Sequence, residues 1–370
     1  MPNMNQPLFE LNQNDLQLEV NSYKPGLGLA WGQLFPLKFT PKFDLHGLEG
    51  DEGIPVSADR VAFNASAPQK TRMKIGVWNG RLHKISISRI KDEMDINEYN
   101  TLRAMAAAYP NDAATAQYLV DMVYNDTKFC SDGMDYRVEL DSMRIGSSGK
   151  ITLSTKLDGD KATSDEINFN IPTNQYVGSA VVWSDSENAD GLGDIIAAQK
   201  IIIKKGVQRP MFAIMNQVAF DYLAKQKSTA RRIAPALLRA TNLDTLTTAD
   251  LNSINVYMRS RNWPQILVID PYVTVEHGDG TKETVQPWNQ NVVTLSPTAQ
   301  LGWTYYKPVP LIANTSAIQT QGSYYKVTVY SDLNPMIEVT MAEAYVQPGL
   351  INRASLVFLN SMSTTWNSGN

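Results

Sequence analysis

The sequence of 370 residues contains a single cysteine, Cys130, and three histidines, His46, His83 and His277. One cysteine excludes a disulfide framework within the chain, and four such scattered side chains supply few ligands for a zinc site. No run of about 18 apolar residues could cross a bilayer, and the first residues lack the cationic and apolar regions of a secretion signal. We therefore expect a protein made in a reducing cytoplasm, with no metal, no cofactor and no membrane association.

Catalytic motifs are scarce as well. The chain has no phosphate-binding Gly-x-x-x-x-Gly-Lys-Ser/Thr segment, no His-Glu-x-x-His and no Gly-x-Ser-x-Gly. None of the three histidines stands beside a serine motif, so hydrogen-bonded or exposed histidines are a better interpretation than a catalytic triad. Paired carboxylates in one cleft stay open, since a sequence cannot show whether two acids meet. The sequence favours a protein that is not an enzyme, with a two-domain α/β hydrolase as the alternative.

Residues 1–45 do not have the composition of a domain. Asn and Gln are mixed with short apolar pieces, and the stretch from Pro25 to Pro41 contains six Pro or Gly residues, counting both ends. Such a segment is too polar to form its own core and is ordered by lying on another surface. That surface is either a neighbouring molecule or the body of the same chain, and both interpretations stay open.

A basic ribbon follows, over about 56–90. Lys70, Arg72 and Lys74 alternate with smaller or apolar residues, which is the period of a strand, and the same alternation returns over 83–88. Asn79-Gly80 between the two halves predicts a hairpin turn. A two-stranded ribbon is marginal in water by itself, so we expect a partner surface.

Charge is distributed unevenly along the chain. Residues 56–91 hold eight basic side chains and one acidic side chain, Asp59, which gives this stretch a net charge of +7. Since the whole chain has a net charge of −4, the remaining residues carry −11. A solvated basic face is the plainer explanation of such a run. A DNA-binding module is less favoured, because only Phe63 and Trp78 accompany the charges as aromatic platforms. Acidic residues on both sides of the ribbon could pair with ribbons of neighbouring copies: Glu49, Asp51 and Glu52 before it, Asp92 and Glu93 after it. For Asp92 and Glu93, ordinary charges at a helix end are the alternative.

The remaining chain mixes helices and strands. Helix formers over 95–108 precede Pro110, and Asn111 or Asp112 can cap a longer helix that ends near Gly146. Cys130 falls on the apolar stripe of that helix, so we expect a buried thiol. Helices and strands then alternate from about 190 to 269, with a first helix that ends at Gly206 and a short later helix capped by Asn216. A glycine-containing hairpin over 272–285 and further strands near 324–342 and 355–359 follow.

This order of parts resembles a tailed-bacteriophage major capsid protein of the Hong Kong 97-type fold, within it the lambda protein E-like family. The local matches are Ile85–Tyr99, Val138–Ile151 and Gly278–Val293. The resemblance implies an α+β fold with an N-terminal arm (1–45), an extended β-hairpin called the E-loop (46–90), a peripheral domain with a long spine helix, and an axial α/β domain (188–322). The peripheral domain would comprise 91–187 and the return strands 323–370.

The resemblance also implies a function. The chain would be a structural protein that self-assembles, as pentamers and hexamers, into the icosahedral head shell around the double-stranded DNA genome of a phage of the class Caudoviricetes. A separate scaffolding protein, a portal protein and decoration proteins would be its partners, and DNA would be enclosed without sequence-specific binding. It would assemble in the host bacterial cytoplasm and end in the virion. The shell of a cargo-holding nanocompartment is the alternative within this fold. The residues expected to contact the next subunit are Arg60, Phe63, Lys70, Arg72, Met73, Lys74, Ile75 and Trp78.

Overall fold

The computed structural model describes residues 6–9, 11–23, 28–49, 58–60, 76–109, 112–152, 167–237, 248–313 and 315–366. For 46–49, 76–79 and 234–237 the backbone alone is described. The helices are α1 (Gln13–Ser22), α2 (Trp31–Leu34), α3 (Glu93–Ala108), α4 (Ala113–Ser148), α5 (Gly191–Lys205), α6 (Gln217–Lys225), α7 (Lys227–Leu237) and α8 (Leu251–Ser260).

The strands are spread over the whole chain. In chain order they are β1 (Leu37–Phe39), β2 (Asp44–Glu49), β3 (Gly76–Arg81), β4 (His83–Lys91), β5 (Lys150–Ile151), β6 (Ile167–Asn168), β7 (Tyr176–Gly178), β8 (Phe212–Asn216), β9 (Gln265–Ile269), β10 (Val273–Glu276), β11 (Lys282–Val285), β12 (Val292–Ser296), β13 (Gly302–Lys307), β14 (Ile318–Gln321), β15 (Tyr325–Leu333), β16 (Met336–Leu350) and β17 (Val357–Asn360).

The main sheet is built around the long strand β16. One edge of β16 pairs with β4, while its other edge pairs first with β15 and then with β13. β1 and β14 extend the sheet outward. Helix α4 packs across one face of this sheet, where Met134, Val138 and Met143 enter the largest hydrophobic core. The alternation expected over 83–88 is confirmed: His83, Ile85 and Ile87 are half-buried, and the residues between them are exposed.

A second sheet has the order β7–β17–β12–β8–β9, with α5 to α8 packed around a second core. Asn216 caps α6 by accepting the Ala219 N–H, and Gly206 ends α5 with a φ of 75°, as the sequence predicts. The hairpin of β10 and β11 turns at Gly280, where φ is 81°. β17 belongs to this second sheet, although it lies within the segment 323–370 that was expected to return to the peripheral domain.

The arm, residues 1–45, lies on the body of its own chain over its described part. Asn12 caps α1 through the Asp15 N–H, and Leu16 and Val20, one helical turn apart, are buried in the main core. Trp31 of α2 joins the same core. Of the two interpretations left open by the sequence, the described residues show the arm folded back on its own subunit.

The turn predicted at Asn79-Gly80 is wrong. β3 runs straight through both residues as an extended strand, and its antiparallel partner is β2, with Gly80 opposite Leu45. β4 pairs instead with β16, and Leu82 alone separates it from β3, which is too short for a hairpin loop. The two strands of the ribbon are therefore 44–49 and 76–81. Residues 83–90, which the sequence places in the E-loop, lie in the main sheet.

Helix α4 confirms most of its predicted features. Asp112 caps it by accepting the Ala114 and Thr115 N–H groups. The helix ends later than predicted, at Gly149 with a φ of 71°, because only that glycine has the left-handed backbone of a C-terminal cap. Gly146 instead provides space, since a Cβ atom there would lie 2.8 Å from Cζ3 of the buried Trp288.

Candidate functional site

The base of the ribbon is fixed to the main sheet by apolar and aromatic contacts. Leu45 and Leu82 are buried in the main core, and the Leu82 N–H donates to the Phe43 carbonyl at 2.9 Å. The Phe43 ring packs edge-on against the Tyr345 ring at a centroid distance of 5.1 Å. Lys307 Nζ lies over the Phe43 ring, 4.3 Å from its centroid. The ribbon therefore leaves the body from a rigid root.

Most of the predicted contact residues are not among the described residues. Arg60 is described and is exposed. Trp78 and Glu49 are described by their backbones, which lie opposite Gly47 and Gly76 in the ribbon. The others lie outside the described residues: Phe63, Lys70, Arg72, Met73, Lys74, Ile75, Asp51 and Glu52.

Four basic residues of the +7 stretch pair inside their own subunit. Arg81 Nε lies 4.0 Å from Asp44 Oδ1 at the exposed root of the ribbon, and Lys84 pairs with Glu343. Arg89 contacts Asp126 at 3.4 Å, beside the buried Lys91. Since these four basic residues have acidic partners in their own subunit, the basic candidates for contact with another copy are the other four: Arg60, Lys70, Arg72 and Lys74.

Asp92 is the N-cap of α3. Its carboxylate accepts the Met94 and Asp95 N–H groups at 2.8 and 3.1 Å. The Asp95 carboxylate in turn accepts the Asp92 N–H, which completes a capping box. Glu93 is exposed in the first turn of the same helix, where the helix dipole favours an acid. The helix-end role that the sequence left open for this acidic group is the one visible within the subunit.

His83, His277 and Cys130, whose side chains are described, lie in different parts of the fold. His83 Nδ1 lies 2.7 Å from Gln347 Oε1 in the main sheet, and His277 Nε2 lies 3.3 Å from Glu283 in the β10–β11 hairpin. Cys130 is fully buried, as the sequence predicts, and burial raises its pKa to about 12. Among the described residues no three His, Cys, Asp or Glu side chains are grouped as metal ligands, and no helix is long and apolar enough for a membrane.

The sequence reasoning missed a row of acidic side chains on α4. Asp132, Asp135 and Glu139 follow one another at helical spacing along the face that meets the arm. Asp135 and Glu139 are almost fully buried, and burial raises the pKa of both, that of Glu139 to about 7. The spacing of three acids on an otherwise buried helix face is the signal by which they could have been found.

No protein-family model matches this sequence, and no curated protein matches it either. Solved structures are similar over almost the whole chain. A phage-related protein from Bordetella bronchiseptica RB50 has a TM-score of 0.53 at 12% identity, with 100% of both chains covered. A protein assigned to the capsid of a prophage of E. coli CFT073 has a TM-score of 0.56 at 13% identity, with 95% of this chain and 99% of that chain covered.

The chain has the Hong Kong 97-type capsid fold. The expected α+β class, with its long helix across a sheet and a separate α/β region, is confirmed. An encapsulin complex from Synechococcus elongatus PCC 7942 is also similar, at 11% identity with 96% of this chain and 98% of that chain covered. Its TM-score is 0.37, which is too low to favour the nanocompartment alternative.

Proposed function

We propose that this protein is the major capsid protein of a tailed bacteriophage, a structural subunit of the icosahedral shell that encloses the double-stranded DNA genome. One observation carries the proposal: the fold matches that of a phage capsid protein over 95% of this chain and 99% of the other. The match covers nearly the whole chain, so no large segment is left unmatched. The proposal assigns no catalytic residue, metal or cofactor.

Contact between subunits is assigned to the ribbon. Its root is fixed by Leu45, Leu82 and Phe43, so the strands β2 and β3 are attached to the body at a defined place. The assigned contact residues are Arg60, Phe63, Lys70, Arg72, Met73, Lys74, Ile75 and Trp78. Each subunit would lay its ribbon over the next, a heterologous contact that closes into rings of five or six. The acidic partners proposed on the neighbour are Glu49, Asp51, Glu52, Asp92 and Glu93.

The parts of the chain take corresponding roles. Residues 1–45 are the arm, and 46–90 are the E-loop, whose final strand β4 also belongs to the main sheet. Residues 91–187 and 323–370 form the peripheral domain, with α4 as its spine, and 188–322 form the axial domain. The second sheet supports this division in part, because β8, β9 and β12 all come from the axial segment.

Other proteins complete the proposed assembly. The shell is proposed to need a separate scaffolding protein while it forms, a portal protein at one vertex, and in some cases decoration proteins outside. Assembly takes place in the host bacterial cytoplasm, and the finished shell is part of the virion. Packaged DNA, as opposed to a protein cargo, would distinguish this role from that of a nanocompartment.

Charge reversal in the ribbon tests the proposal. The double variant Arg72→Glu/Lys74→Glu is expected to stay soluble and folded but to form no shells, because like charges would then face the acidic partner surface. Lys200→Glu/Lys225→Glu, which reverses two exposed lysines of α5 and α6, is the control with the same change in net charge. Electron microscopy and sedimentation read out assembly.

The outcomes separate two parts of the proposal. Intact shells from Arg72→Glu/Lys74→Glu would overturn the ribbon assignment and leave the shell role in place. A wild-type protein that remains monomeric on gel filtration, and that loses a hydrolytic turnover when a pair of acids is mutated, would overturn the shell role itself.

A further inference from the structure

The arm is held on α4 by acidic side chains, without a basic partner among the described residues. Glu139 Oε2 accepts the Trp31 N–H at 2.7 Å, and the Ala30 N–H lies 3.1 and 3.2 Å from the two oxygens. These are the N–H groups at the start of α2, which have no acceptor within the helix. A carboxylate at a helix start is favourable, but here it is fully buried.

A second acidic contact lies one turn away on the same face. Asp135 Oδ1 accepts the Tyr324 hydroxyl at 2.7 Å, and the Tyr23 hydroxyl lies 2.5 Å from Asp132 and 3.1 Å from Asp135. Tyr325, the other titratable group facing this row from β15, is also buried. Every one of these groups is neutral or negative in water at neutral pH.

These neighbours therefore carry no positive charge that would offset the burial of the Glu139 carboxylate. Burial raises its pKa from 4.5 to about 7, the Ala30 and Trp31 N–H groups oppose that shift, and the charge of Asp135 adds to it. Burial likewise raises the pKa of Asp135, against the Tyr324 and Tyr23 hydroxyls. When the arm leaves α4, water reaches both carboxyls, and their pKa values return toward those of exposed acids.

We propose that docking of residues 28–35 on α4 is coupled to protonation of Glu139, so that the arm docks more firmly as the pH falls and loosens as it rises through neutrality. The sign follows from linkage. A carboxyl whose pKa is higher in the docked state holds its proton there over a pH range in which the undocked state has lost it. Docking is therefore fully favoured below the pKa of the exposed acid, and it weakens progressively until the pH has risen through the raised value. Asp135 acts in the same direction. This inference concerns the subunit alone and does not rest on the proposed shell function.

Hydrogen–deuterium exchange measures this docking directly. The probe is the peptide segment that contains the Ala30 and Trp31 amides in the full-length protein, with rates divided by those of the same segment in the unfolded chain. Protection of this segment is expected to fall roughly tenfold or more between about pH 5.5 and about pH 8. The Gly191 amide, which donates to the non-titrating Gln226 Oε1 at 2.7 Å, is an internal reference that should not change.

Two variants complete the test. In Glu139→Gln the side chain keeps an oxygen acceptor but cannot titrate, so the slope of protection against pH should become shallow, whatever its absolute level. Asp121→Asn neutralises an exposed acid of α4 that accepts a hydrogen bond from Gln117, and it should keep the wild-type slope. Protection that stays flat or rises with pH in the wild type would overturn the proposal, as would an unchanged slope in Glu139→Gln.

Discussion

Lys91 and Glu338 face each other across β4 and β16, with Nζ and Oε1 3.3 Å apart and exposures of only 6% and 2%. The other Glu338 oxygen accepts the Leu8 and Phe9 N–H groups at 2.8 and 3.0 Å. Lys91 also lies 3.5 Å from Asp126 of α4. One ion pair thus joins the sheet, the spine helix and the first described residues of the arm.

Removing Lys91 should destabilise the protein strongly. In Lys91→Met, Glu338 and Asp126 lose a buried cationic partner, and breaking a buried pair from one side typically costs about 3–5 kcal/mol. Lys282→Met is the matched control: its pair with Glu276 is 3.5 Å long but exposed, so a loss of about 1 kcal/mol or less is expected. Chemical denaturation of the two variants measures the difference. Equal effects would show that the buried pair is not an important contact.

Two helical glycines should respond in opposite ways to alanine. Gly146→Ala places a methyl group 2.8 Å from Cζ3 of Trp288 and 3.1 Å from Leu301, and overpacking of this kind costs about 1–3 kcal/mol. Gly32→Ala in α2 meets no atom within 4 Å, so it should be neutral or stabilising by up to about 1 kcal/mol. Thermal unfolding of both variants is the measurement. A Gly146→Ala protein as stable as the wild type would contradict the packing described around Trp288.

The thiol of Cys130 should be inert in the native protein. It is fully buried, its Sγ lies 3.5 Å from the Thr340 carbonyl, and its pKa is raised to about 12 by burial, with the charge of Asp126 acting in the same direction. Because the thiolate is the reactive form, a disulfide reagent at about pH 8 should modify it only after denaturant is added. Rapid modification of the native protein would show that this part of α4 opens readily.

Local signals in the sequence were sufficient where the structure is local. Asp112 caps α4, Asn216 caps α6, and the alternation over 83–88 marks one buried and one exposed face of β4, because each depends on neighbours within a few residues. The prediction of a turn at Asn79-Gly80 failed for the opposite reason: the partner of β3 is β2, more than 25 residues earlier, and β4 pairs with the distant strand β16.

The acidic row on α4 shows a second limit. Nothing in the residues around Glu139 indicates that its partners are the Ala30 and Trp31 N–H groups, which are more than 100 residues away in sequence. An acid on a helix is usually a solvated side chain. The contact residues proposed for the ribbon were chosen on sequence alone, and most of them lie outside the described residues, so they stay a prediction.

Electron microscopy of the purified full-length protein tests the central claim most directly. If the chain is a capsid subunit, concentrated protein should form closed, regular shells built of rings of five and six subunits, or those rings themselves. Discrete monomers at every concentration, with and without the scaffolding protein of the same phage, would contradict the account.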